Sequence, residues 1–356
     1  MRVSLVGTGF IAAVHAKALK ELGQELVVVV NQTHAKAETF AKDWAVARFG
    51  TDFSLALAAD IDVVHICTPP TSHYQMIKAA LLAGKHVVCE KPLCLNPAEA
   101  KEVMLLASEK QLIGAVLFNI RFHEACQQVK AFIASADFGT INLIHGTYLQ
   151  AFHALPDAYS WRYISESAGP MRATTEIGSH WIDLARYWTG LEVAAVSANF
   201  GHFNPHRVLS EGMMYPEERE GGEKLIVDSE DAAVISLRFS NGAIGNVVLS
   251  EVSHGRSNRL HLEVTGSKQS VWWTNEVPYQ WHSSEKNAGI RTQTNAFGGG
   301  FPETFKAFFE SVYRDIEEGY PPIHDYPTFY DGYVNTTICA AIFESARHHS
   351  SWVSIT

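Results

Sequence analysis

Several features that would mark a membrane, secreted or nucleic-acid-binding protein are missing from this sequence. No apolar run reaches the roughly 20 residues needed to span a bilayer, and the first run breaks at Gly7, which is unlike a signal peptide. There is no block of Lys and Arg, and the formal net charge at pH 7 is -10. Such a charge argues against sequence-independent binding of nucleic acid or of an anionic membrane. We therefore expect a cytoplasmic protein that binds neither.

Cysteine is scarce, and internal repeats and low-complexity segments are absent. The five cysteines are odd in number and form no metal-type pairs, which favours reduced thiols over a disulfide framework. The composition is that of a soluble globular protein. A chain of 356 residues exceeds the usual size of one hydrophobic core, so two domains are expected.

The chain opens with a strand, a glycine turn and a helix. MRVSLV is a short aliphatic run, and VHAKALKEL behind the turn has helical periodicity. The turn has the G-x-G-x-x-A form of the dinucleotide fingerprint, in which Gly7 permits the tight turn and Gly9 lets a pyrophosphate approach the backbone. The helix amino terminus then faces the phosphate charge. The residues of this turn that we predict to bind the cofactor are Gly7, Thr8, Gly9, Phe10 and Ile11.

The second predicted strand, ELVVVV, lacks the acidic residue that normally follows it and binds the adenosine ribose. Asn31 stands in its place, followed by Gln32 and Thr33, with Lys36 in the next turn. A carboxylate would repel a 2′-phosphate, whereas these residues offer neutral donors and one cation. The pattern favours NADP, or the use of both NAD and NADP, although Lys36 can also be an ordinary solvated helix residue.

Three further predicted strands complete a domain spanning residues 1–121. They are VVHIC, HVVC and LIGAVLF, with helical segments between them, and this alternation predicts a parallel, doubly wound α/β sheet with right-handed crossovers. Ligands of such sheets bind outside the carboxyl ends of the strands. The residues at or just beyond these ends that we predict to bind the cofactor are Thr68, Pro69, Pro70, His73, Glu90, Lys91 and Asn119.

The stretch Glu90-Lys91-Pro92 places two opposite charges and a proline directly behind an apolar run. Taken alone, it is typical of a surface turn, because charged residues are mostly exposed. At the carboxyl end of a strand in a doubly wound sheet, however, Lys91 is expected to point into the cofactor crevice.

From residue 122 to residue 356 the pattern changes. Runs such as TINLIHGTYL, DAAVISLRF and RLHLEVTG alternate apolar and polar residues with little helix between them. We predict an α+β domain with a large, mostly antiparallel open sheet, one face of which carries a helix and the other a partner subunit. The closing helical segments, from FPETFKAFF onward, are expected to pack back across the domains, and residues 205–227 to form a mobile surface loop.

One predicted helix of this second domain, TTEIGSHWIDLARYWTG, carries reactive side chains. Thr174 or Thr175 would cap it, and Glu176, His180 and Asp183 then share one face at offsets of four and three. A carboxylate one turn from an imidazole can fix its tautomer and raise its basicity, as a general base requires. An exposed acid and histidine pair without function is the plain alternative. Metal ligation by the three is another, although no cysteine or second histidine lies at ligand spacing.

Four motifs, in an order and spacing that cover nearly the whole chain, resemble the Gfo/Idh/MocA family, named for glucose-fructose oxidoreductase and inositol dehydrogenase. They are the glycine turn, Glu90-Lys91-Pro92, Asn119-Ile120-Arg121-Phe122, and EIGSHWID. The resemblance implies a Rossmann domain, an open-sheet domain, a nicotinamide cofactor, and reversible oxidation of one hydroxyl on a sugar, cyclitol or glycoside.

The resemblance also implies catalytic roles. Lys91 is similar to the lysine that binds the reacting hydroxyl beside the nicotinamide, and the bond between Lys91 and Pro92 is then expected to be cis. His180 is similar to the base that removes the hydroxyl proton. Glu176, counted with the catalytic residues, stands where the family usually has Asp, which is one methylene shorter.

Further positions resemble the substrate side of family sites. Asn119 matches a position near the nicotinamide, and Arg121 and Asp183 match positions beside the substrate. The motifs YLQAF, SWRY and SEVSHGRSNRL resemble a branch that acts on pyranose sugars and their derivatives, which makes Trp161 and Arg162 candidate substrate contacts. Trp161 can equally be part of the core. The implied partners are a carbohydrate or cyclitol substrate and a second copy of the chain, in a homodimer or homotetramer formed through the C-terminal sheet, with no metal.

The leading hypothesis from the sequence is an NAD(P)-dependent dehydrogenase of a sugar or cyclitol. One alternative is a glycosidase of the same family that uses bound nicotinamide transiently, and another is a regulator that only senses the dinucleotide. The regulator predicts a damaged catalytic set, whereas Lys91 and His180 are both present.

Overall fold

The computed structural model describes residues 1–154, 161–211, 213–215, 217–296, 299–321 and 325–355. Its strands are β1 Arg2–Val6, β2 Glu25–Val30, β3 Arg48–Gly50, β4 Val63–Ile66, β5 His86–Cys89, β6 Gly114–Val116, β7 Ile141–Leu149, β8 Val193–Gly201, β9 His206–Ser210, β10 Met213–Tyr215, β11 Glu223–Ile226, β12 Ala232–Phe239, β13 Ile244–Ser250, β14 Arg259–Gly266, β15 Gln269–Thr274, β16 Gln280–Glu285, β17 Arg291–Thr294 and β18 Val353–Ser354. Its α-helices are α1 Phe10–Glu21, α2 His34–Trp44, α3 His73–Leu82, α4 Pro97–Glu109, α5 Glu124–Ile133, α6 Ser165–Ala168, α7 Ser179–Thr189, α8 Phe301–Glu318 and α9 Phe329–Arg347.

The chain forms two compact units. The first comprises Met1–Phe122 and Gly299–Thr336, and the second comprises His123–Gly298 and Thr337–Thr356. Helix α8 and the start of α9 thus belong to the same compact unit as residues 1–122.

The first unit is built on a six-stranded sheet in the order β3-β2-β1-β4-β5-β6. Every pair of neighbouring strands in it is parallel. Strand β2, ELVVVV, buries its last four residues, as expected of a parallel strand covered on both faces. The predicted doubly wound α/β sheet is confirmed, although its last strand is only Gly114–Val116, followed by a 3-10 turn over Asn119–Phe122.

Helix α8 belongs to the first unit because of its apolar stripe. Phe305, Phe309 and Val312 follow one another at helical spacing, are almost fully buried, and share a core cluster with residues of β1, β4, β5 and β6. Glu303 accepts a hydrogen bond from the Gly300 N–H at 2.8 Å and so stabilises the helix start.

The second unit is built on a nine-stranded sheet in the order β17-β16-β15-β14-β7-β13-β12-β8-β18. Its neighbours are antiparallel except for β7 and β13, which run parallel. Helices α5 and α7 pack on one face, against strands β7, β14 and β15. The predicted α+β domain with a mostly antiparallel open sheet is confirmed.

The prediction of a mobile surface loop over residues 205–227 is wrong. The described part of this segment forms a small sheet in the order β10-β9-β11. Met214 from β10 is buried in a cluster with Tyr163 and Val227, against which Leu209 of β9 and Leu225 of β11 pack. The charged and glycine-bearing sequence hid these few apolar positions.

In the ranges that the structure describes, none of the helices combines the length and the apolar character needed to cross a bilayer.

Candidate active site

The glycine turn of the first unit is shaped for close approach of a ligand. Gly7 follows β1 with a φ of +108°, and a Cβ at this position would lie 2.5 Å from the Cys67 carbonyl oxygen. A Cβ at Gly9 would meet no atom within 4 Å, so the space above the first residues of α1 is open. Phe10 at the helix start is 75% exposed, and Ile11 is half-buried. The turn therefore fits a dinucleotide pyrophosphate at the amino end of α1.

Asn31 orders the backbone at the end of β2. Its Nδ2 donates to Thr8 Oγ1 at 2.7 Å, and its Oδ1 accepts from the Thr33 N–H at 2.8 Å. Gln32, Thr33 and Lys36 are exposed. The position that commonly holds an acid thus carries a neutral amide next to the glycine turn.

His73 connects the ends of β4 and β5. Its Nε2 lies 2.9 Å from the Thr68 carbonyl oxygen and its Nδ1 lies 2.8 Å from the Pro92 carbonyl oxygen. Burial lowers the pKa of His73, against the smaller effect of these two carbonyls, and a neutral ring can donate to only one of them at a time. Pro70 is buried here and Pro69 is exposed.

Glu90 and Lys91 follow β5 directly. The peptide bond between Lys91 and Pro92 is cis, as predicted. Glu90 is 9% exposed and its Oε2 accepts a hydrogen bond from the Lys91 N–H at 3.2 Å. Lys91 is half-buried.

The sequence reasoning missed a group of buried side chains behind Glu90. Glu90 Oε1 lies 3.2 Å from His15 Nε2, His15 Nδ1 lies 2.9 Å from His65 Nδ1, and His65 Nε2 lies 2.9 Å from the Tyr313 hydroxyl. The available signal was a histidine inside the otherwise aliphatic strand β4, VVHI.

Asn119 and Arg121 lie in the turn behind β6 and bind other residues of the first unit. Asn119 is 3% exposed and donates to Thr304 Oγ1 at 2.8 Å. Arg121 is 5% exposed and pairs with Asp331 at 2.8 Å. These contacts attach the turn to the starts of α8 and α9. The sequence did not indicate this structural role for Asn119 and Arg121.

In the second unit, helix α7 is entered through a π-helical turn over Thr174–Gly178. The prediction that Thr174 or Thr175 caps the helix is wrong, because Ala173 already has helical dihedral angles. Thr175 Oγ1 instead donates to the Met171 carbonyl at 2.9 Å, and the Thr174 N–H donates to Glu230 Oε1 at 2.7 Å. Such π turns are frequent at functional sites.

The predicted catalytic residues lie along this turn and helix. Glu176 and His180 are half-buried, and Asp183 is 1% exposed. The structure brings Arg162 to Glu176, with Arg162 Nε donating to Glu176 Oε2 at 2.8 Å. The same guanidinium lies 4.6 Å from the ring centre of Trp161.

A buried charged cluster adjoins this ion pair, and the sequence reasoning missed it as well. Arg172 pairs with Asp231, and its Nη1 lies 3.4 Å from Glu251 Oε2. His153 Nδ1 lies 2.8 Å from the Tyr163 hydroxyl, and its Nε2 lies 3.6 Å from Glu251 Oε2. Burial raises the pKa of Glu251 to about 8 and lowers the pKa of His153 to about 2. Burial therefore favours the neutral form of both groups.

No group of three or more His, Cys, Asp or Glu side chains suited to a metal ion occurs in the described part of the chain.

Two family models cover most of the sequence. Residues 1–118 match the model described as oxidoreductase family, NAD-binding Rossmann fold, and residues 126–272 match the C-terminal domain of the same family. The chain belongs to the Gfo/Idh/MocA oxidoreductase family. It is an oxidoreductase with an NAD-binding Rossmann domain, as its glycine turn predicts.

Similar proteins extend this relation over the full length. The chain is 31% identical to levoglucosan dehydrogenase of Pseudarthrobacter phenanthrenivorans, over 100% of this chain and 98% of that protein. It is 28% identical to inositol 2-dehydrogenase of Rhizobium meliloti, over 90% of this chain and 89% of that protein. A solved structure of levoglucosan dehydrogenase in complex with NADH and levoglucosan superposes with a TM-score of 0.90 at 29% identity, covering 100% of this chain and 99% of that one.

Proposed function

We propose that this oxidoreductase oxidises one hydroxyl of a pyranose, an anhydrosugar or a cyclitol with a nicotinamide dinucleotide. The observation that carries the proposal is the full-length similarity to a dehydrogenase of the anhydrosugar levoglucosan. The glycine turn, Lys91 and His180 are all present in this chain.

The chemistry of the chain's own side chains suits this reaction. The Lys91 ammonium donates to the oxygen of the reacting hydroxyl, and the His180 imidazole takes the hydroxyl proton. The nicotinamide, when bound, accepts the hydride from the same carbon. Glu176, held by Arg162 at 2.8 Å, supports His180 from the preceding turn of the helix.

The substrate-binding residues are part of the same proposal. Arg162 carries a guanidinium over the Trp161 ring, 28% of its side chain being exposed, and so offers hydrogen-bond donors beside an aromatic face, which suits a sugar. Direct binding of substrate by Asp183 and Arg121, and of the nicotinamide by Asn119, stays a prediction. Their burial favours a supporting role behind the residues that contact the ligands.

We further propose that the cofactor site accepts both NAD and NADP. Asn31 and Gln32 offer neutral groups and Lys36 an exposed cation, so nothing in this segment repels a 2′-phosphate. A solved relative binds NADH, which supports NAD as one of the two.

The proposal is tested by incubating the purified protein with NAD or NADP and a panel of pyranoses, anhydrosugars and cyclitols. Net formation of NADH or NADPH with a free sugar or cyclitol is the expected result. Release of an aglycone from a glycoside without net reduction of the cofactor would instead identify a glycosidase. Binding of the dinucleotide with no turnover of any kind would identify a regulator.

Two further expectations concern the setting of the enzyme. We propose that copies of the chain associate through the open face of the nine-stranded sheet, as a homodimer or homotetramer. A cytoplasmic location stays a prediction from the composition.

A further inference from the structure

Four side chains of the first unit form a continuous hydrogen-bonded chain that leads to Glu90. The chain runs from Tyr313 on α8 to His65 on β4, to His15 on α1 and then to Glu90, with nitrogen and oxygen separations of 2.9, 2.9 and 3.2 Å. His15 and His65 are 0% exposed and Tyr313 is 3% exposed. Glu90 Oε2 accepts the Lys91 N–H, so the chain ends beside the lysine.

With both imidazoles neutral, the bonds have one consistent direction. A carboxylate can only accept, so His15 donates its Nε2–H to Glu90. A neutral His15 then has a free lone pair on Nδ1, which accepts the Nδ1–H of His65. The Nε2 of His65 in turn accepts the Tyr313 O–H. Burial, followed by the neighbouring His15, lowers the pKa of His65, which agrees with a neutral ring, so every hydrogen bond points toward Glu90.

Core packing alone gives no reason for two adjacent imidazoles. The rings of Phe305 and Phe309 surround His15, with the Phe309 ring centre 4.8 Å away, and an apolar side chain would satisfy such an environment at less cost in desolvation. The two histidines lie 50 residues apart and Tyr313 a further 248 residues from His65. The arrangement holds the Glu90 carboxylate at both oxygens, Oε1 by His15 and Oε2 by the Lys91 N–H.

We propose that His15, oriented by His65 and Tyr313, is a positioning residue that holds the Glu90 carboxylate and through it the backbone of Lys91. The predicted effect on kcat rests on the proposed function. The hydrogen-bond chain itself exists in the protein without substrate and is measured separately.

The first test is the tautomer of each histidine in the wild-type protein. Nitrogen-15 NMR of histidine-labelled protein at neutral pH, assigned with His15→Gln and His65→Gln, should show His15 protonated on Nε2 and His65 protonated on Nδ1. An imidazolium at either position, or the opposite tautomer at either position, would overturn the directed chain. This result is independent of whether any sugar is turned over.

The second test is steady-state kinetics with levoglucosan and NAD. His15→Phe removes the donor to Glu90 and should lower kcat about 30-fold while KM for NAD changes by less than about 3-fold, because misplacement of a reacting group by an ångström costs on the order of 100-fold. His15→Gln supplies an amide donor and should restore most of kcat. Tyr313→Phe should lower kcat about 3-fold.

A matched control keeps a structural effect apart from a positioning effect. His86, at the other end of β5, accepts the Ile113 N–H at 3.0 Å, and His86→Phe should lower stability without lowering kcat. Equal kcat in His15→Phe and wild type, or no rescue by His15→Gln in a folded protein, would overturn the positioning role. Should wild-type protein turn over no sugar, the proposed function fails while the tautomer measurement still decides the chain.

Discussion

Glu251 is a buried carboxyl whose Oε2 lies 3.4 Å from the Arg172 guanidinium. Burial nevertheless raises its pKa to about 8, because Arg172 also pairs with Asp231 and because the carboxylates of Glu176 and Glu230 are near. His153, on the other side, is held neutral by burial. The desolvation cost of a charge here exceeds the attraction of one shared cation.

These shifts predict how stability depends on pH. Glu251 keeps a proton in the folded protein that the unfolded chain releases, so its contribution is lost as pH rises toward about 8. The lowered pKa of His153 has the opposite effect: it reduces stability as pH falls, and only below the ordinary histidine pKa of 6.5. Between pH 6.5 and 8 the wild-type protein should therefore lose about 2 kcal/mol of unfolding free energy through Glu251, at about 1.4 kcal/mol per pH unit. Glu251→Gln should not show this loss.

The measurement for Glu251 is urea unfolding of wild type and Glu251→Gln at both ends of this pH interval. An equal change in the free energy of unfolding for the two proteins would show that Glu251 is ionised throughout.

Asn31 gives a second prediction at the scale of one residue. Asn31→Asp places a carboxylate where it binds the ribose hydroxyls and repels a 2′-phosphate, so the ratio of kcat/KM for NAD to that for NADP should rise about 10-fold or more. Lys36→Ala, as a companion variant, should weaken the use of NADP alone. An unchanged cofactor ratio in Asn31→Asp would remove the basis for dual use.

Single residues were predictable from the sequence to different degrees. The cis bond between Lys91 and Pro92 was predicted because the short motif that carries the family resemblance, Glu90-Lys91-Pro92, lies within one stretch of the chain. His15 and Tyr313 were missed because a buried polar residue has meaning only through its partners, and these come from distant parts of the chain. Asp331, the partner of Arg121, was missed for the same reason.

At the scale of elements, the π turn before α7 depends on a glycine. Gly178 has ordinary helical dihedral angles, but a Cβ there would lie 2.5 Å from Cδ1 of Leu249 on β13. Leu249 is fully buried and has little room to move. The side chain of residue 178 must be absent for the turn to lie on the sheet.

Gly178→Ala should therefore destabilise the protein by about 1–3 kcal/mol through overpacking. Leu249→Val removes the clashing methyl groups, so Gly178→Ala should cost much less in the Leu249→Val background. Urea unfolding of the four proteins of this double-mutant cycle gives the coupling free energy. Additive effects would show that the turn does not press on Leu249.

Some secondary-structure elements were predicted from the sequence pattern and others were not. Most strands of the two large sheets were predicted because their period or their apolar runs are continuous. The strands β3, β16, β17 and β18 were missed because they are short or largely polar. The small sheet of β9, β10 and β11 was missed because its strands are short and each buries few apolar side chains, as Val208 and Met214 illustrate. The π turn was missed because a change of helical pitch leaves no separate sequence signal from a capped helix start.

At the scale of the whole molecule, the nine-stranded sheet has a face suited to association. Helices α5 and α7 pack on one face. Val234 on β12 and Ile244 on β13 share one face of the sheet and are 49% and 59% exposed. This supports the proposed association through the sheet.

The double variant Val234→Lys with Ile244→Lys should shift the protein toward monomer, because charges at the centre of an interface are costly to bury. Light scattering coupled to size exclusion measures the mass, with Lys101→Glu on the exposed surface of α4 as the control. An unchanged oligomer in the double variant would place the interface elsewhere, and a monomeric wild type would refute the association.

The first unit combines two segments that are far apart in the sequence. The sequence indicated a Rossmann domain in residues 1–121, but the unit is completed by residues 299–336. Phe309 from this segment packs against the buried His15 and His65. We expected the closing helices to pack back, but local patterns do not encode which side chains they bring to the buried histidines.

If Lys91 and His180 carry out the dehydrogenase reaction, Lys91→Ala and His180→Ala should each lower kcat with levoglucosan and NAD. Each variant should fold as wild type does, bind NADH, and form NADH at least about 100-fold more slowly, as expected for loss of a group that handles the proton. Lys101→Ala and His348→Ala, exposed residues of α4 and of the C-terminal end, serve as controls with unchanged rates. Near-normal NADH formation by both Lys91→Ala and His180→Ala would contradict the account.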